Sequence, residues 1–431
     1  MQARTAEDWI RRRFFFCLVF SVVVGAIAVR LDAQQAWTQW RGPNRSGLLK
    51  EVQWPATLSG EHLTLSWDAR LGPSYSGPLI AGDTVYTTAT HDRKWEVVIA
   101  LDLATGTNRW ETKWEGAMSV PFFAKSNGDW IRATPALHRG KLYVAGMRDL
   151  LVCLDRKNGD IVWKKDFVKE LRSPLPTFGF VSSPLPDEDH IYVQAGGGIL
   201  KLEAETGRIL WHSIKDGGGM YGSAFSSPTI EVLAGERQLL VQTRELLAGI
   251  NLETGDVLWS KKIEAFRGMN ILSPSRYKSG FFVSSYGGGT LYFEVKKTEK
   301  GYTTIEKWRK TAQGYMSTPL LIDGHAYLHM RNQRVTCFDM ETGKQTWTST
   351  PFGKYWSMVS DGKKILALDE KGILYMIAAN PEKFELLGTR DFNGSPSWAH
   401  LAIMDDYLVV RELDKLACYR WSVPVSKDGT K

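Results

Sequence analysis

Five stretches of one pattern decide the fold: ALDLATGTNRW at 100–110, CLDRKNGDIVW at 153–163, KLEAETGRILW at 201–211, GINLETGDVLW at 249–259 and CFDMETGKQTW at 337–347. A looser sixth copy, FEVKKTEKGYTTIEKW, occupies 293–308. In the tight copies Gly106, Gly159, Gly207, Gly255 and Gly343 each lie four residues before a Trp. Asp102, Asp155, Glu203, Asn251 and Asp339 each lie four residues before that Gly. This is hairpin chemistry. A strand ends, a polar side chain bonds turn N–H groups, and Gly takes the positive φ that closes the turn. The acids therefore read as turn caps and not as metal ligands.

A second element precedes each copy. Ser76-Gly77-Pro78, Ala133-Thr134-Pro135, Ser182-Ser183-Pro184, Ser226-Ser227-Pro228, Leu272-Ser273-Pro274 and Ser317-Thr318-Pro319 each open a short apolar strand. A turn and another strand follow, as in LIAGDTVYT at 79–87 and LLIDGHAYLH at 320–329. The unit is thus four short strands in about 40–50 residues, the size of a propeller blade. Two degraded units follow, one from Trp356 through ILALDEKGILYMIAA (365–379) and one from Trp398 through YLVVRELDKLACYRW (407–421). The last has only three strands. LTLSW at 63–67 resembles a Trp-bearing outer strand and is available to complete it, which would remove the open sheet edges. The expectation is an all-β, eight-bladed β-propeller of four-stranded antiparallel blades, spanning 63–421 and closed by its N-terminal strand. Residues 34–62 form an irregular leading segment and 422–431 a C-terminal tail. Trp37–Gly47 has no strand pattern and reads as packing across the propeller floor.

The 17 Trp among 431 residues call for a periodic explanation, and the repeat supplies it. Trp110, Trp163, Trp211, Trp259, Trp308 and Trp347 are expected to wedge against neighbouring blades. Repetition at a fixed offset is what structure demands; a single active site does not. Cys153, Cys337 and Cys418 fall at equivalent places in different units, so they are expected as buried free thiols. The net charge of +7 carries no Lys/Arg run in the mature chain, which argues against nucleic acid as a partner.

Residues 1–33 read as an export signal. Arg11, Arg12 and Arg13 precede an apolar run from Phe14 to Val29 that is short for a membrane span, with a cut after Ala33. The pattern fits Sec or twin-arginine export to the periplasm or beyond; an uncleaved inner-membrane anchor is the alternative. Cys17 has no small residue before it, so no lipid anchor is expected.

These repeats resemble the PQQ-like (pyrrolo-quinoline quinone) repeat of bacterial propellers, typified by quinoprotein alcohol dehydrogenases and by the outer-membrane assembly propeller. The opening Trp37-Thr38-Gln39-Trp40-Arg41-Gly42-Pro43-Asn44-Arg45, with Leu71-Gly72-Pro73-Ser74-Tyr75-Ser76, is similar to exported PQQ-like propeller proteins common in planctomycetes and acidobacteria. The likeness covers about residues 37–421 and specifies fold more strongly than activity. The dehydrogenase branch resembles itself in a vicinal Cys–Cys lid, a Ca²⁺ site of Glu, Asn and Asp, and an Asp base. Here no two cysteines are adjacent, and no Asp-Tyr-Asp-like cluster or Cys-x-x-Cys-His is present. The resemblance therefore implies a non-catalytic binding or scaffolding propeller with no cofactor, acting on a protein or small ligand, as a monomer or within a complex. A PQQ- and Ca²⁺-dependent dehydrogenase is the first alternative, and a carbohydrate- or polymer-binding propeller the second.

Other motifs carry little chemistry. His325 and His329 sit on one strand, roughly 13 Å apart along it, too far to share an ion. The Gly runs at 196–198, 217–219 and 287–289 precede no helix and read as turns. The expected site is the central funnel, where connections enter the innermost strands. Its contents are Tyr75, Arg132, Phe178, Tyr221, Asn270, Tyr315, Trp356 and Trp398, which vary in type from unit to unit as a recognition surface does; the other reading is that they merely plug the channel. The insertion at 115–129, with Phe122 and Phe123, is expected to overhang this face.

Overall fold

Every four-strand unit read from the repeat forms its own antiparallel sheet. The computed structural model describes residues 36–49, 54–216, 222, 224–394 and 396–422. Blade 1 consists of Leu79–Ala81, Thr84–His91, Trp95–Asp102 and Asn108–Glu115. Blades 2 to 7 follow at 136–166, 185–213, 229–262, 275–310, 320–351 and 356–391, each in sequential strand order. Blade 8 takes Ala402–Met404, Tyr407–Arg411 and Lys415–Trp421 from the end of the chain and Leu63–Arg70 from its start. Leu63 pairs with Trp421 and Arg70 with Lys415, so the two ends of the chain meet in one blade and close the ring. The chain is an eight-bladed β-propeller.

Register explains why the repeat has its spacing. In blades 1, 2, 3, 4 and 6 the Trp sits opposite Ala100, Cys153, Lys201, Gly249 or Cys337, and a bulge follows immediately. Trp67 sits opposite Cys418 in blade 8, so the N-terminal strand brings the missing repeat indole with it. The three described cysteines are buried and unpaired. Asp102 Oδ1 accepts from the N–H groups of Ala104 and Thr105, and Asn251 Oδ1 from those of Glu253 and Thr254. These side chains cap the turns.

The indoles join successive blades. Trp110 Nε1 donates to Arg156 O (3.2 Å), Trp163 to Ala204 O (3.0 Å), Trp211 to Leu252 O (3.1 Å), Trp308 to Met340 O (2.9 Å) and Trp347 to Asn380 O (2.8 Å), always in the next blade. Trp67 does the same to Leu103 O of blade 1 (2.8 Å). Trp259 departs from this pattern and donates to Gln238 Oε1 of its own blade (2.8 Å) while stacking on Phe281. Its neighbour, blade 5, is the unit with the long hairpin, Gly289–Thr298 and Gly301–Lys310, and lacks the tight turn whose carbonyl the other indoles use. The turn glycines have a second role besides their positive φ. A Cβ on Gly159 would lie 2.5 Å from Trp110 and one on Gly106 2.6 Å from Trp67.

Near the axis a hydroxyl belt replaces the indoles. Ser183 N donates to Ser227 Oγ, Ser227 N to Ser273 Oγ, Ser273 N to Thr318 Oγ1 and Gly77 N to Thr134 Oγ1. The Ser/Thr before Pro135, Pro184, Pro228, Pro274 and Pro319 thus takes part in an inter-blade clasp.

Trp37–Gly47 runs across the central channel. Trp37 forms a bridge with Ile80 of blade 1, and Thr38 O accepts from Leu137 N of blade 2. The Arg45 guanidinium donates to Ser183 O, Pro184 O and Pro228 O of blades 3 and 4, and Arg41 to Pro319 O of blade 6. Gly47 and Leu49 bond Ser360 of blade 7, and Trp40 meets His400 of blade 8 edge to face. Inner strands present carbonyls to the axis, and these two buried arginines satisfy several of them.

Candidate functional site

Above this plug lies a cavity of about 590 Å³. Its base is formed by Trp40 and His400, and its lower wall by Thr134, Ser183, Ser227, Ser273, Thr318 and Ser357. Six consecutive blades therefore contribute one hydroxyl each. The upper wall is aromatic. On one side Tyr75 stacks on Trp398 (5.0 Å, 18°), Trp398 meets Tyr355 (4.3 Å) and Tyr355 meets Tyr315 (5.9 Å). On the other side Phe123 meets Phe178 (6.4 Å) and Phe178 meets Phe225 (5.6 Å), with the Arg244 guanidinium 4.9 Å from the Phe225 ring.

Charge in the cavity has one sign. Arg132, Arg244 and Arg267 line it, and among the described residues no Asp or Glu does. Arg132 is fixed by donating to Trp130 O (3.2 Å) and Gly128 O (2.9 Å). Burial pushes its pKa down to about 10, which leaves it charged at neutral pH. Burial, reinforced by the nearby Arg41, holds His400 down to about 3, so its imidazole is neutral. Among the described residues no group of three His, Cys, Asp or Glu is arranged to hold a metal ion. His329 is packed against Trp356 (4.8 Å) and bonded to Gly353 O, with burial lowering its pKa to about 4.

Of the residues named from sequence, Tyr75, Arg132, Phe178, Tyr315, Trp356 and Trp398 all line this cavity. Asn270 does not: it is buried behind the wall, its Nδ2 donating to Arg244 O and Ile263 O, and Phe266, Arg267, Met269 and Ile271 line the site in its place. Tyr221 lies outside the described residues. Trp356 is directed partly into its blade, stacked near Tyr375, and Tyr355 beside it carries the aromatic arc. The insertion at 115–129 forms a short 3-10 helix, Phe122–Asn127, and brings Phe123 to the cavity. Sequence reasoning missed Trp40, Phe225, Arg244 and Tyr355. A usable signal for the plug was present: Arg41 and Arg45 stand in an acid-free, turn-rich segment where only backbone carbonyls can satisfy them.

Fold and site together define a propeller with one end of its channel closed and a cationic, aromatic funnel at the other. The chain belongs to the PQQ-like repeat family, whose sequence profile, described as outer membrane protein assembly factor BamB, matches residues 94–349. It is 22% identical over 314 residues to the outer membrane protein assembly factor BamB of Shewanella oneidensis, covering 67% of this chain and 73% of that protein. Among solved structures, BamB from Moraxella catarrhalis superposes with a TM-score of 0.60 at 14% identity, over 86% of this chain and 99% of that one. The quinohemoprotein alcohol dehydrogenase of Comamonas testosteroni gives 0.61 at 14% identity, over 93% and 84%. At such identities these structures share the fold with this chain, and the fold alone.

Proposed function

We propose that this protein is an exported, non-catalytic binding propeller whose funnel holds a ligand. The observation that carries this reading is the blind, aromatic, carboxylate-free cavity beside Arg132. Its volume falls within the range of about 300–1,000 Å³ typical of small-molecule sites. General acid–base catalysis needs a group that titrates near the working pH. Among the described residues the lining supplies none: its one imidazole is held far below neutrality, and it contributes no Asp, Glu, Cys or Lys. The described residues also do not fit a Ca²⁺-bound quinone, because Ca²⁺ takes oxygen ligands that include carboxylates and none of them in the wall is one. Export rests on the reading of residues 1–33, which lie outside the described residues. It also agrees with relatives whose names place them in outer-membrane assembly. Among the described residues no helix is long and apolar enough to cross a membrane.

A scaffolding role is the second reading. It is favoured by the exposed Phe122, Phe123 and Phe266 around the mouth, since exposed apolar clusters mark interaction surfaces.

A thermal-shift screen of the mature protein against small organic anions and neutral analogues tests the first reading. Stabilisation by anions, lost in Arg132→Glu, is expected. A bound-quinone spectrum with alcohol oxidation on adding PQQ and Ca²⁺ would overturn it in favour of the enzyme.

A further inference from the structure

We propose that the funnel takes an acidic saccharide: a pyranose bearing a carboxylate or a sulfate, seated on the Tyr75–Trp398–Tyr355 rings with its charge at Arg132. This rests on the binding reading above and names the ligand class. Three layers of the cavity carry it.

The lowest is the hydroxyl belt. Thr134, Ser227, Ser273 and Thr318 each accept an N–H from the neighbouring blade, which fixes the oxygens. The proton of Ser273 is directed at Ser227 O. Ser357 Oγ is buried with no protein partner among the described residues. An apolar or purely aromatic ligand would cover Ser357 Oγ without bonding it, at a cost of about 1–3 kcal/mol. A polyol can bond it, and can use the remaining lone pairs of the fixed hydroxyls.

The second layer is the arc of flat rings. Tyr75 and Trp398 lie nearly parallel and Tyr355 tilts across them. Aromatic faces carry negative quadrupole density, which suits the C–H face of a pyranose. Tyr and Trp, each with a polar handle, occupy this half, while Phe123, Phe178 and Phe225 occupy the other.

Charge is the third layer. Among the described residues Arg132 makes no ion pair, its two bonds going to backbone carbonyls. Asp129 lies near enough to act on its charge, but among the described residues no Asp or Glu lines the cavity itself. A low-dielectric cleft lined by one sign of charge concentrates ions of the other.

The test is calorimetric titration of the mature protein with digalacturonate, with galactose 6-sulfate and with neutral galactobiose. One or both anionic sugars should bind, and the arm that does identifies the charged group. The neutral sugar should bind at least about tenfold more weakly, matching the loss of one charge-assisted hydrogen bond. Raising ionic strength from about 0.05 M to about 0.5 M should weaken only the anionic sugar. Arg132→Gln should abolish the anionic preference, and Arg132→Lys should restore part of it. Trp398→Ala should remove all saccharide binding. Unchanged melting of each variant separates these losses from misfolding, and Trp398→Phe, which keeps a stacking face, should retain binding if Trp398→Ala fails to fold. Equal affinity for acidic and neutral sugars overturns the proposal. If benzene-1,2,4-tricarboxylate binds and no acidic sugar does, the saccharide class falls while the binding pocket stands. If neither these probes nor any anion of the thermal-shift screen binds, both fall together.

Discussion

Two sets of aromatic side chains circle this ring, and they obey different rules. On the blade flanks, Trp67, Trp110, Trp163, Trp211, Trp308 and Trp347 hold equivalent places in the outer strands, four of them at one offset from one turn, and donate to one kind of carbonyl in the next blade. In the funnel, Tyr75, Phe178, Phe225, Tyr315, Tyr355 and Trp398 come from different blades at drifting offsets and touch each other across blade boundaries. The flank set is identical because each blade poses the same packing problem. The funnel set is diverse because one ligand presents different chemistry to each blade. The same residue types therefore answer two separate demands, and substitution should pull the two apart.

The largest effect is expected on the flank. Trp163 packs on Tyr143 (5.9 Å) and bonds Ala204 O, so Trp163→Ala should cost about 3–5 kcal/mol. Urea unfolding reads this directly. The folded fraction should keep its ligand affinity, and a variant that lost binding with full stability would collapse the distinction.

Next comes pH, through acids buried between blades. Glu96 of blade 1 accepts from Trp114 Nε1 (2.9 Å) and from Met147 N of blade 2 (2.6 Å). Burial outweighs those donors and raises its pKa from 4.5 to about 7. Asp149 behaves alike, raised by burial to about 7 while it accepts from Gly196 N of blade 3. Between the unfolded and folded values the native protein holds a proton that the unfolded chain has released. Stability from Glu96 is thus complete below its ordinary 4.5 and is lost as pH rises through about 7, a swing of about 3 kcal/mol. Urea unfolding at about pH 5 and about pH 8 should show the decline. Glu96→Gln should reduce it, and an identical decline in that variant would acquit this residue.

A pair of glycines sharpens the flank side further. Gly159 (φ +78) and Gly140 (φ +80) both occupy the left-handed region, where a side chain costs about 1–2 kcal/mol. A Cβ at Gly140 meets nothing within 4 Å, whereas one at Gly159 lies 2.5 Å from Trp110. Gly159→Ala should therefore destabilise more than Gly140→Ala, and the difference isolates the indole contact. Equal losses would mean the Trp only fills space.

The unequal legibility of the two sets has the same cause. Periodicity located the flank indoles, the blade count and the closing strand, because every copy repeats the others and Trp67 faces Cys418 as Trp163 faces Cys153. It located much of the funnel, because the Ser/Thr-Pro element marks where the chain enters each inner strand. It failed where the element is absent and where a residue leading into the inner strand turns back to bond the backbone. Blade 7 has no such Pro, which shifted attention from Tyr355 to Trp356; in blade 5 Asn270 turned inward to bond backbone at Arg244 and Ile263. Trp40 and the plug carry no period at all. Their position is set by guanidinium-to-carbonyl bonds across the axis, between residues more than a hundred positions apart.

Tyr315→Ala should give the smallest change in stability and one of the clearest in binding. Tyr315 is half-buried in the funnel, meeting Tyr286 at 5.6 Å and Tyr355 at 5.9 Å. Such partial contacts are worth about 0.5–1.5 kcal/mol each beyond burial, and the wet side of the ring returns little on folding. The melting temperature should fall by no more than a few degrees, as expected for about 1 kcal/mol in a chain of this size. Removing the ring also strips the last partner that holds Tyr355 against Trp398 from its far side, so saccharide affinity should drop although Arg132 is untouched. A salt dependence kept intact alongside weaker binding would place the loss in the stacking arc. If affinity stayed level while stability fell as far as in Trp163→Ala, the funnel rings would belong with the flank indoles, as parts of the wall.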